Sequence, residues 1–77
     1  MKGTPATLRA KSWLGRPPEP GDLVLTDAGS WYLVDAVRPT SRGGYRLGVV
    51  RLGRRRPVEA DDGRSVIAWR WEHRGQR

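Results

Sequence analysis

The chain has 77 residues, a formal net charge of +7 and no cysteine. That length bounds it to one domain, and the missing thiols exclude a disulfide framework or a thiolate zinc site. No stretch is apolar and long enough to cross a bilayer, so no membrane partner is expected.

Met1-Lys2-Gly3-Thr4-Pro5 is not followed by the apolar segment of a secretory signal, and a cytoplasmic protein is the expectation. The basic residues are 13 Arg and 2 Lys against 8 acids. GC-rich coding accounts for Arg in place of Lys. It does not account for the excess of bases over acids, which points to a polyanion, nucleic acid foremost.

Residues 1–20 contain Pro5, Pro17, Pro18 and Pro20 and show no sustained period. They read as a flexible, basic N-terminal arm with a stiff lead-in at Arg16-Pro17-Pro18-Glu19-Pro20. Trp13 is its interaction anchor, or else packs across an open end of the domain.

From Gly21 to Val37 the pattern changes. Leu23-Val24-Leu25 and Trp31 to Val37 alternate about a turn at Asp27-Ala28-Gly29-Ser30, as in a half-buried antiparallel hairpin. The strands are predicted at about Asp22–Thr26 and Ser30–Arg38. Tyr32, Val34 and Ala36 form the more apolar face of the second strand and are expected inside; Trp31, Leu33, Asp35 and Val37 form the other face.

Arg38 to Gly44 is a loop broken by Pro39 and Gly43-Gly44. A third strand spans about Tyr45–Leu52, with Gly48 marking a bend or bulge. Gly53–Gly63 is a second loop, basic and then acidic. A fourth strand covers about Ser65–Glu72, with Ile67, Trp69 and Trp71 directed inward. Residues 73–77 are a short basic tail.

The residues Gly21, Asp22, Val24, Gly29, Trp31, Tyr32 and Val37 resemble the opening hairpin of Tudor-type, Src-homology-3-like barrels. That resemblance covers about a quarter of the chain. It implies an all-β, small five-stranded Src-homology-3-like barrel over 21–72, between the arm and the tail. Eukaryotic Tudor proteins bind methylated Lys or Arg in an aromatic cage. Only Trp31 and Tyr32 match such a cage, and Tyr45-Arg46-Leu47-Gly48 departs from the third-strand motif.

Catalysis has little to rest on, and a non-enzyme without cofactor or metal is expected. His73 is alone in the tail, and Asp61-Asp62-Gly63 reads as a turn. The basic constellation is more specific. Arg38, Arg42, Arg46, Arg51, Arg54, Arg55 and Arg56 follow one another with no acid between them. Guanidinium groups pair bidentately with phosphate and stack on bases.

Arg42, Arg46, Arg51 and Arg54 to Arg56 are the expected contacts, with Arg38 and Arg70 in support. Arg46 and Arg51 are expected to join the two loops into one stripe. Trp13 or Trp31 is expected to stack on bases. The expected function is thus weakly sequence-specific binding of DNA or RNA. The competing reading is a protein-interaction module of the mobile-element or phage accessory type. It would bind an acidic or host protein, or a second copy of the chain through its opposite-charge blocks.

Overall fold

Alternation of apolar and polar residues builds five strands into one sheet. The computed structural model describes residues 3–13, 15–61 and 63–69. Within them lie β1 (Thr4–Ala10), β2 (Leu23–Thr26), β3 (Trp31–Pro39), β4 (Tyr45–Gly53), a 3-10 turn at Val58–Asp61 and β5 (Val66–Trp69). The strand order is β1-β4-β3-β2-β5. β5 runs parallel to β2, and the other neighbours are antiparallel.

The all-β, five-stranded class expected from the sequence is the observed one. Two parts of that expectation change. First, the sheet is open, with β1 and β5 as its edges rather than a closed barrel. β1 pairs only with β4 and β5 only with β2, so no ladder joins the two edges. Second, the expected N-terminal arm is structured. Its residues 4–10 form β1 and pair along β4 from Thr4↔Arg51 to Ala10↔Tyr45. The alternation there is carried by Ala6, Leu8 and Ala10, two of them too small to stand out in the sequence. Pro5 is tolerated because β1 is an edge strand.

The larger core cluster lies on one face of the sheet, while Leu23 and Trp31, of opposite parity, are buried on the other. Ala10, Val24, Val34, Leu47, Val49 and Trp69 are buried together, with Leu8, Trp13, Tyr32, Val37, Tyr45 and Ile67 packed against them. Leu47 and Val34 are among the fully buried side chains, and burial of each contributes about 2 kcal/mol. Ile67 and Trp69 point inward as expected. Ala36 does not. The register slips between Val34 and Ala36, which makes Asp35 an extra residue in β3. Alternation restarts beyond it, so Val37 takes the inward position and Ala36 is exposed. The irregularity expected at Gly48 falls instead on the partner strand, at Asp35, between the partners of Val49 and Gly48.

The connector from β1 to β2 is tied down by specific contacts. Trp13 packs edge-on against Tyr45 with centroids 5.5 Å apart, and tilted against Trp69 at 5.9 Å. Its indole Nε1 donates to the Arg16 carbonyl at 2.9 Å. Arg16 Nη2 and the Glu19 amide both donate to Asp22 Oδ2, at 3.0 and 2.9 Å. Trp13 therefore packs across the open side of the sheet, the second of the two roles read for it. Arg70, Trp71, His73 and the rest of the tail lie outside the described residues, as does Asp62.

Candidate nucleic-acid interface

The face of the sheet opposite the core carries the arginines. Directly opposed residues in antiparallel strands project from the same face. Arg46 of β4 is opposed on one side by Arg9 of β1 and on the other by Arg38 of β3. The row Arg9–Arg46–Arg38 thus crosses three adjacent strands in register. At one strand spacing per step its outer members are about 10 Å apart.

The next row on this face is Thr7–Gly48–Ala36, which is small and uncharged. At the other flank of the arginines, the β1 end and the β3–β4 turn form an open cleft of about 460 Å³. Arg9, Ala10, Lys11, Thr40, Ser41, Arg42 and Arg46 line it.

Local hydrogen bonds fix this turn. The Thr40 amide donates to the Gly44 carbonyl at 3.0 Å, and the Gly44 amide returns to Thr40 Oγ1 at 3.1 Å. Gly44 is required by close approach: a Cβ there would collide with the Ala10 carbonyl oxygen. The contact sets the end of β1 against the start of β4, and so sets Arg9 beside Arg46.

Arg9, Lys11, Arg38, Arg42 and Arg46 are all exposed. None has an acidic partner among the described residues, whereas Arg16 pairs with Glu19 and Asp22. The row is therefore not neutralised within the described chain. Like charges placed directly opposite one another in a sheet are destabilising, by a few tenths to about 1 kcal/mol per pair.

The other expected arginines lie elsewhere. Arg51 is opposed by Thr4 and Tyr32 and has the parity of the core residues Leu47 and Val49. It projects from the face opposite to Arg46, so the two do not form the expected stripe. Arg54 and Arg55 are exposed in the loop after β4. That loop begins about 23 Å along β4 from Arg46. The Arg56 guanidinium carbon lies 6.0 Å from the Trp31 ring centroid, and Nη2 donates to the Ala60 carbonyl at 3.5 Å. Arg70 is outside the described residues.

The two expected stacking rings are both engaged. Trp13 packs on the core, and Trp31 is 7% exposed beneath Arg56. Sequence reasoning missed Arg9 and Lys11 as site residues because it read them as charge on an arm. The one trace of it is weak: Thr7, Arg9 and Lys11 alternate with Ala6, Leu8 and Ala10, of which only Leu8 is large and apolar.

No family model, no curated protein and no solved structure matches this chain.

Proposed function

We propose that this chain is a non-catalytic nucleic-acid-binding module that grips the phosphate backbone with the Arg9–Arg46–Arg38 row. Lys11 and Arg42 extend the contact into the adjoining cleft. Arg54 and Arg55 give a second, separate contact at the other end of the sheet. One observation carries the reading. Three arginines stand in register as exposed residues, at a cost to the sheet, and none is paired with an acid of the described chain.

Such an array gains most from a polyanion. Guanidinium groups pair with phosphate in a forked geometry and release condensed counterions as they do so. Phosphate contacts position the protein without reading bases, so binding is weakly sequence-specific.

The test compares two triple variants by fluorescence anisotropy with labelled DNA and RNA at fixed low salt. Arg38→Ala, Arg42→Ala and Arg46→Ala together should weaken binding by at least about tenfold. Arg54→Ala, Arg55→Ala and Arg56→Ala together should weaken it less. Unchanged affinity in the first variant would overturn the proposal. Absence of binding by the wild type would leave an acidic protein as the partner of the row.

A further inference from the structure

We infer that the arginine face is built for double-stranded nucleic acid rather than for a single strand; this rests on the nucleic-acid reading above. Three features of the face lead there. The first is its lack of a stacking surface. Proteins that hold single strands combine a basic groove with aromatic rings on which successive bases stack. Here Trp13, Tyr32 and Tyr45 belong to the core side. Trp31 has the parity of the arginine face but is buried at the far end of β3, under Arg56. No aromatic ring of the described residues lies beside the arginine row.

The second feature is rigidity. The spacing of Arg9, Arg46 and Arg38 is set by two backbone ladders, not by a loop that could follow a flexible chain. A duplex offers phosphates in a stiff, repeating array that a fixed row can match. It also presents one charge per about 1.7 Å of axis, denser than a single strand, so a fixed cationic row gains more from it.

The third feature is relief. Thr7, Gly48 and Ala36 raise no large side chain in the row beside it, before the same face becomes buried at Leu23 and Trp31. On its other flank, Lys11 and Arg42 continue the positive charge into an open cleft rather than a narrow channel. A broad backbone can lie across such a face. A narrow channel closing around one strand is not formed there.

The experiment is competition in a mobility-shift assay with the full chain and a labelled 24-base-pair DNA duplex. Unlabelled duplex DNA, duplex RNA and an unstructured oligothymidine of equal length compete at matched phosphate concentration. At least one duplex should displace the probe at about one-tenth the phosphate concentration needed by the single strand. Which duplex does so identifies the source. Equal or better displacement by oligothymidine would overturn the duplex inference and leave nucleic-acid binding standing. A probe that is never shifted, even at low salt, would overturn both.

Discussion

Arg46 stands directly opposite Arg9 across the β1–β4 ladder, with neither side chain paired to an acid of the described chain. Arg38 completes the row on the other side. This juxtaposition sets fold and function against each other. Arg46→Thr should remove repulsion toward both neighbours and place a β-branched residue on an exposed strand position. The expected gain is about 0.5 kcal/mol, read as a rise of a few degrees in Tm. The same variant should bind nucleic acid more weakly. Thermal unfolding by circular dichroism, run beside a binding titration, checks both signs. A variant that loses stability and keeps its affinity would contradict the role given to Arg46.

Gly44→Ala probes how Arg9 is brought to the row. The added methyl meets the Ala10 carbonyl oxygen, so the end of β1 must move away from β4. A loss of about 2 kcal/mol in urea unfolding is expected from strain and broken ladder bonds. Hydrogen exchange at the β1 amides should rise more than exchange in β2 and β3. Uniform exchange across the sheet would show that the contact does not position β1.

Trp13 is predicted to act through packing and not through bases. Trp13→Ala removes the ring between Tyr45 and Trp69 and should destabilise the domain by about 3 kcal/mol. Trp13→Phe keeps an aromatic ring in place and should bind nucleic acid as the wild type does. A marked loss of affinity in the folded Trp13→Phe protein would return Trp13 to the role of a stacking residue.

Asp22 holds the connector from two sides. Its Oδ2 accepts from Arg16 and from the Glu19 amide, and Asp22 is only 7% exposed. Asp22→Ala leaves both donors without that acceptor and should cost about 2 kcal/mol. Asp22→Asn retains an acceptor and should recover part of the loss. Equal stability of the two variants would show that the carboxylate oxygen is not what fastens the connector.

The legibility of this chain followed the size of its side chains. Leu23-Val24-Leu25, Trp31 to Val37 and Tyr45 to Leu52 are rich in large apolar residues between turn signals, and each became a strand close to its expected bounds. β1 was illegible because Ala6 and Ala10 give almost no hydropathy contrast, and Pro5 and Pro17 suggested an arm. Its pairing with β4 is non-local and leaves no mark in either segment alone. The extra residue at Asp35 was equally silent. It is a matter of register, and it exchanged Ala36 for Val37 at the core.

For the candidate site, Arg38, Arg42 and Arg46 were visible as a charge block, whereas their union with Arg9 and Lys11 depended on the unseen strand. Arg46 and Arg51 looked continuous in sequence, but five positions along a strand is an odd interval. It turns the two side chains to opposite faces.

The most direct test of the central claim is the salt dependence of binding, measured for the wild type and for a variant with Arg9→Ala, Arg38→Ala and Arg46→Ala together. On a labelled duplex, the slope of log affinity against log salt should be shallower in the variant by roughly 2 to 3, close to the loss of three phosphate contacts. An unchanged slope in a folded variant would show that the arginine row does not touch the nucleic acid backbone.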